Sequence, residues 1–339
     1  MLDAAPSGPV AADAAPIPFA PVFGLRSATL QSTLASKRPV HRLWRQRGLD
    51  LNALSTAHVL DCGDGIRLTG RRTAHTRSLS RGLVVLIHGW EGCHDSSYLY
   101  SMAATLFSAG YNVFRLNLRD HGSTHHLNQE MFHSARMAEV LGAVTAARQL
   151  DPDGNLYVMG FSLGGNFALR VALQGPALGL TPRLTVAISP AINPGATLLA
   201  IDEGPALFRK YFLGRWKQTL RAKRKAWPHY DFRAFDTLKS FVDTTRHFVS
   251  AYTEYASYED YLAQYTLSPP MLMQAPSPIA VISARDDTVI PIEDFQGLSA
   301  RGSVLACDLT DRGGHCGFIR NWRLESWAEQ RALELLQRC

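Results

Sequence analysis

Residues 156–159 form a short apolar run, Leu-Tyr-Val-Met, that leads straight into Gly160-Phe161-Ser162-Leu163-Gly164 and then into the helix-forming stretch 166–170. This order, strand then G-x-S-x-G then helix, requires a turn so tight that side chains at the two glycines would collide with neighbouring backbone. The serine between them is forced into a strained conformation at the end of a strand. A chain that makes this turn must fold a helix back along the strand it has just left. Ser162 then stands as a candidate nucleophile.

The surrounding pattern fits the same demand. Apolar β-rich runs at 83–87, 111–116, 156–159, 184–188, 279–283 and 304–309 alternate with helical stretches at 97–109, 131–150, 165–173 and 325–337. His58-Val59-Leu60 and Ile66-Arg67-Leu68 flank Gly63-Asp64-Gly65 and read as a hairpin. Short buried strands alternating with helices predict an α/β fold, a mostly parallel sheet with helices on both faces. The alternation breaks at 192–272, which is rich in aromatic and basic residues and reads as helical. We expect a core of 25–191 and 273–339 and a helical cap of 192–272 over the strand C-terminal ends, where ligands bind in such sheets. Residues 25–55 are mixed and basic and are expected to wrap the surface.

Composition bounds the remaining possibilities. A chain of 339 residues, 46% hydrophobic, can bury a large core. Cys62, Cys93, Cys307, Cys316 and Cys339 are scattered and contain no C-x-x-C pair, which argues against a metal cage and for reduced thiols in a cytoplasm. No apolar run has the length of a membrane span. Residues 1–24, rich in Ala and Pro, lack the basic and apolar regions of a signal peptide and read as a flexible tail. Eight Lys and Arg lie within 209–225 with no acid among them, more than the whole net charge of +6. The basicity is thus a local patch. It is read first as a solvated cap face and second as a peripheral contact for anionic lipid, with Tyr211, Phe212 and Trp216 on the apolar side. The chain shows no nucleic-acid-binding motif.

A serine hydroxyl needs a base, and the base an orienting acid. In folds of this kind these follow in the chain order Ser, Asp or Glu, His. Beyond Ser162 the histidines are His229, His247 and His315, and only His315 lies outside the insertion, in the loop Gly313-Gly314-His315-Cys316-Gly317. The acid should follow the strand at 279–283, where Asp286 and Asp287 compete; the spacing to Val289-Ile290-Pro291 favours Asp287. Two backbone N–H groups must hold the oxyanion. Leu163 supplies one. The loop His88-Gly89-Trp90-Glu91-Gly92 supplies the other, at Trp90, whose indole would also wall the acyl pocket. His88 is expected to brace this loop and to border the substrate. His94, His121, His125, His126 and His133 are read as loop histidines near the site rim, and Cys93 and Cys316 as bystanders.

Taken together, Leu86-Ile87-His88-Gly89-Trp90-Glu91-Gly92, Asn117-Leu118-Arg119-Asp120-His121-Gly122, the Ser162 pentapeptide, Ala284-Arg285-Asp286-Asp287 and Gly313-Gly314-His315-Cys316-Gly317-Phe318 resemble the α/β-hydrolase superfamily. More narrowly they are similar to bacterial hydrolases related to the yeast medium-chain ester synthases/esterases and to animal phospholipase-like members. The cap stretches Phe241-Val242-Asp243 and Tyr252-Thr253 resemble that group too, although Thr288 stands where the group usually has Pro. The resemblance implies an α/β-hydrolase fold with Ser162 as nucleophile, Asp287 as acid and His315 as base, working without cofactor or metal. It implies hydrolysis of a small-molecule or lipid carboxylic ester with a short or medium acyl chain. Acyl transfer to an alcohol or thiol, a phospholipase-like activity, or a scaffold that binds without turnover are the alternatives.

Overall fold

The computed structural model describes residues 18–76 and 79–339. Its strands are β1 Ser55–Asp61, β2 Arg67–Thr73, β3 Leu83–Ile87, β4 Asn112–Asn117, β5 Leu156–Phe161, β6 Leu184–Ile188, β7 Ile279–Ala284 and β8 Val304–Thr310. Its helices are α1 Ala28–Lys37, α2 Val40–Gln46, α3 Ser97–Ser108, α4 Met137–Gln149, α5 Leu163–Gln174, α6 Pro194–Glu203, α7 Ala206–Ala226, α8 Phe241–Tyr252, α9 Tyr258–Ala263, α10 Pro269–Met273 and α11 Trp327–Arg338.

The strands form one sheet in the order β1-β2-β4-β3-β5-β6-β7-β8. The β1–β2 hairpin joins β4 antiparallel, and β4 through β8 run parallel. The central strands are buried on both faces, which is why they read as unbroken apolar runs. Along β5 the side chains alternate: Tyr157, Met159 and Phe161 enter the core shared with α3 and α11, while Leu156 and Val158 enter the core shared with α4 and α5.

The chain leaves β3 for β4 on one side and returns to β5 on the other. The strand order therefore reverses between β3 and β5, the crevice where ligands bind in open α/β sheets. Helices α6 to α10 all lie between β6 and β7, so the break in alternation at 192–272 is a helical excursion. Their apolar side chains form a third cluster with residues of β6 and β7. Among the described residues no helix is long and apolar enough to cross a membrane.

Three expectations are corrected. The flexible tail does not extend to residue 24: Phe19 packs on Phe318 and Trp327, and Val22 N–H donates to Arg320 O; residues 1–17 of that tail lie outside the described residues. The basic segment 25–55 does more than wrap the surface, since α1 buries Gln31 against the loop that carries His315. The helix expected from 131 begins only at Met137, because Asp120 captures the Phe132 N–H at 2.9 Å and holds 131–136 out of helical register.

Candidate active site

Ser162 sits between Phe161, which ends β5, and Leu163, which starts α5. Its φ of 54° and ψ of −121° are strained for any residue with a Cβ. The glycines are explained by close approach. A Cβ at Gly160 would lie 1.9 Å from Gly164 O, and one at Gly164 would lie 2.3 Å from Ile87 O. Both clashes are with backbone, which cannot rotate away. Gly160→Ala is therefore expected to cost about 3 kcal/mol, the upper end for overpacking, in denaturant unfolding. A stability equal to wild type would contradict this geometry.

His315 reaches Ser162 across the strand ends. Its Nε2 is 3.0 Å from Ser162 Oγ, and its Nδ1 is 2.9 Å from Asp287 Oδ2 and 3.2 Å from Oδ1. The Asp287 side chain is fully buried. It accepts from Nδ1–H, so Nε2 is left with a lone pair toward the serine. Asp287 is itself fixed, because Oδ1 accepts from Val289 N at 2.8 Å and Ile290 N at 3.0 Å. These two amides explain why the spacing to Val-Ile-Pro mattered. Asp286 plays a different part, because its Oδ1 accepts from Gly314 N at 2.8 Å and supports the histidine loop. Burial works against a charged His315, but the Asp287 carboxylate outweighs it and raises the imidazole well above its ordinary value.

Sequence reasoning missed the supports supplied by α1. Ser32 Oγ accepts from His315 N at 2.8 Å, and Gln31 bridges Leu25 O and both polar groups of the Ile319 backbone. These residues carry no motif, and their partners His315 and Ile319 lie nearly the whole chain away.

The turn at 89–92 flanks the serine. A Cβ on Gly89 would stand 3.1 Å from Ser162 Cβ. Gly89 O accepts from Gly92 N at 2.9 Å and lies 2.7 Å from His88 Nδ1. His88 Nε2 accepts from Leu118 N at 3.1 Å, which makes Nδ1 the protonated nitrogen. The peptide is trans, so pinning the Gly89 carbonyl turns the Trp90 N–H away from the His88 ring. Leu163 is the first residue of a helix, and its N–H lacks an intrahelical acceptor. His88 is thus wholly buried, lies outside the cavity lining and has both nitrogens engaged. Its expected contact with substrate is corrected; only the bracing part of that reading fits. Burial lowers its pKa to about 4, so it stays neutral.

A cavity of about 510 Å³ opens from Ser162 into the space beneath the helical segment. The Trp90 indole forms part of its wall, edge-on to Trp216 and Phe241 at centroid distances of 5.4 Å and 5.1 Å. Leu198, Ile201, Phe212 and Phe248 extend the apolar lining, and His315 and Cys316 also line it. The other histidines do separate work. His121 Nε2 accepts from Glu91 N, His94 meets Asn117, and His125 O accepts from the Trp227 indole.

The basic segment is in part the solvated face expected, with Lys210, Arg221, Arg224 and Lys225 exposed. Of the aromatics expected on a lipid-facing side, Trp216 is buried and Phe212 lines the cavity; Tyr211 alone is exposed. Lys223 is not on the surface either, since its side chain is fully buried 2.9 Å from Asp120 Oδ1. Arg215 Nη2 donates to Glu91 O at 2.8 Å, and Thr219 Oγ1 donates to Glu91 Oε2 at 2.6 Å. Burial lifts the Glu91 carboxyl to about 7, against the pull of Thr219 and Arg215. The signal that points to Glu91 in the sequence is an acid at the third position of a turn after His-Gly.

With fold and site in place, the comparisons with known proteins agree on the class. Residues 84–324 match the model of the alpha/beta hydrolase family, and the chain belongs to that family. It is 23% identical over 290 residues to the "Putative esterase slr0264" of Synechocystis sp., covering 76% of this chain and 78% of that one. It is 26% identical over 259 residues to the "Putative esterase YheT" of Escherichia coli, covering 73% and 74%. Among solved structures it resembles the Pyrococcus furiosus esterase Pf2001, with a TM-score of 0.53 and 17% identity over 84% of this chain and 92% of that one.

Proposed function

We propose that this chain is a serine carboxylesterase with a core of 25–191 and 273–339 and a cap of 192–272. The observation that carries the reading is the continuous chain of contacts Ser162–His315–Asp287 opening into an apolar cavity. His315 Nε2 takes the Ser162 proton as Oγ bonds to the ester carbonyl carbon. The N–H groups of Trp90 and Leu163 hold the oxyanion. The tetrahedral intermediate collapses, the bond to the alcohol oxygen breaks, and His315 passes its proton to that oxygen. Water, deprotonated by His315, then attacks the acyl-enzyme, and Ser162 leaves with its proton restored. Asp287 keeps the imidazole in the required tautomer throughout.

The substrate reading is an ester with a short or medium acyl chain. Its supports are the aromatic wall of Trp90, Trp216 and Phe241 and a cavity of about 510 Å³, a size suited to a small molecule. The names of the Synechocystis and E. coli relatives point to the same reaction. Five free cysteines suit a reducing compartment such as the cytoplasm. The test is a series of p-nitrophenyl esters of increasing acyl length, run on wild type and Ser162→Ala, with an added alcohol as competing acceptor. Serine-dependent release that peaks at short or medium chains is the expected result. Product formed mainly as the new ester would replace hydrolysis by acyl transfer, and no serine-dependent release would overturn the proposal.

The pH dependence follows from His315. Catalysis needs its neutral form, and Asp287 holds the charged form in place above the ordinary value of about 6.5. Activity on a neutral ester is therefore expected to fall with decreasing pH from above that value. In Asp287→Asn the raising influence is gone, so the acid limb of kcat/KM moves to lower pH while its plateau drops by roughly 10⁴-fold. An acid limb that stays put in Asp287→Asn would show that another group sets it.

A further inference from the structure

Glu91 occupies an unusual place. The Gly89 O to Gly92 N hydrogen bond closes a four-residue turn with Trp90 and Glu91 at its centre. Glu91 has a φ of 56°, at the position where such turns ordinarily use glycine. Every polar group it offers is nevertheless engaged. Its N–H donates to His121 Nε2 at 3.0 Å, a core contact; its carbonyl and carboxylate accept from Arg215 and Thr219 of α7. Arg215 and Thr219 are four residues apart, and so share one helix face; the buried Lys223 is four further on and anchors that face to the core. His121 Nε2 accepts the Glu91 N–H, so its protonated Nδ1 faces Arg119 O at 2.6 Å. One end of the Trp90–Glu91 peptide is held by the core, and the residue that completes it is held by the cap.

We infer that Glu91 is a positioning residue that makes the oxyanion N–H of Trp90 depend on the seating of α7, so that the cap helix assembles the site as well as roofing it. The inference rests on the ester reading above. Trp90 N–H is fixed from two sides, by Gly89 O on one and by Glu91 on the other. Removing the hold of α7 on Glu91 loosens the second side only, where the Glu91 N–H to His121 remains. Stability of the fold does not require that hold, because the turn conformation is one glycine adopts with less strain.

The test uses full-length wild type, Thr219→Val, Thr219→Ser and Glu91→Gly. Each is assayed on p-nitrophenyl butyrate, for inhibition by a trifluoromethyl ketone that forms an oxyanion on Ser162, and for thermal midpoint. Thr219→Val and Glu91→Gly are expected to lose roughly tenfold or more in kcat, part of the 10²–10³ that a lost oxyanion donor removes. KM should stay within about twofold, and ketone inhibition should weaken by the same factor as kcat/KM, as expected for an interaction made only in the transition state. Thr219→Ser should restore activity, and Glu91→Gly should melt no lower than wild type. Thr219→Val with wild-type kcat and ketone affinity overturns the inference, as does a loss that follows a lowered midpoint and is not restored by Thr219→Ser. A wild type that neither turns over ester nor binds the ketone overturns the ester reading itself, which an active wild type matched by Thr219→Val would leave intact.

Discussion

Ser162→Ala is expected to lower kcat on an activated ester by roughly 10⁴-fold or more and to abolish labelling by a fluorophosphonate probe. The side-chain oxygen is the only heavy atom lost, and among the described residues its hydrogen bond is to His315 Nε2. The backbone bonds that hold the elbow, Ser162 N to Ile188 O and Asn166 N to Ser162 O, do not involve it. Alanine also keeps a Cβ, so the strain at φ 54° is unchanged. Stability should therefore move by less than about 1 kcal/mol, which separates loss of chemistry from loss of fold. Residual turnover would come from binding and from the oxyanion amides proposed at Trp90 and Leu163. Labelling that persists in Ser162→Ala would assign the reactive group to another side chain.

Much of this was legible in the sequence because it rests on local physics. The clash that demands glycine at 160 and 164 is made by residues close in the chain or on the adjacent strand, so a five-residue pattern encodes it. The parallel sheet announced itself because strands covered on both faces must be apolar throughout. The contacts that distinguish Asp287 from Asp286 are also local, because the amides that hold it, Val289 and Ile290, lie two and three residues on. The supports of the site were not legible. Ser32 and Gln31 act on the segment around His315 through a few hydrogen bonds to partners some 280 residues distant, and no periodicity records such a pairing. The basic run at 209–225 was legible only in part for a related reason. Charge density along a helix does not say which way each side chain points, and one face of α7 is turned inward to Glu91 and Asp120.

The same distinction shows in the histidines. His88 and His121 each accept a backbone N–H on Nε2 and face a carbonyl with Nδ1. Burial lowers both, His88 to about 4 and His121 well below its ordinary value. They hold backbone as neutral, tautomer-fixed struts. His315 differs because a buried carboxylate faces its Nδ1, and that neighbour, with a smaller contribution from Cys316, raises a largely enclosed imidazole against the effect of burial. Proximity in sequence to other histidines carries none of this information.

The largest loss of stability is expected from Lys223→Met. Lys223 Nζ donates to Asp120 Oδ1 at 2.9 Å, Asn128 O at 2.7 Å and Glu130 O at 2.9 Å, so all three protons are used. Both side chains of the pair are essentially without solvent contact. Burial pulls Lys223 below its ordinary value, yet Asp120 opposes the shift. Methionine fills nearly the same volume but leaves the buried Asp120 carboxylate without its counter-charge, with only Phe132 N still donating to it, and takes a donor from the Asn128 and Glu130 carbonyls, a change that costs about 3–5 kcal/mol. A fall of roughly 10 °C in thermal midpoint follows for a domain of this size. Because the cost lies in the stranded charge, adding Asp120→Asn should return part of it. The double variant should be more stable than Lys223→Met alone, and the introduced amide oxygen can still accept from Phe132 N as Asp120 does through Oδ2. Equal losses in the single and double variants would place the cost in the packing of α7 instead. Since Lys223 anchors the helix face that carries Arg215 and Thr219, its loss should also reduce kcat at temperatures well below unfolding, tying the stability of the cap to the geometry at Trp90.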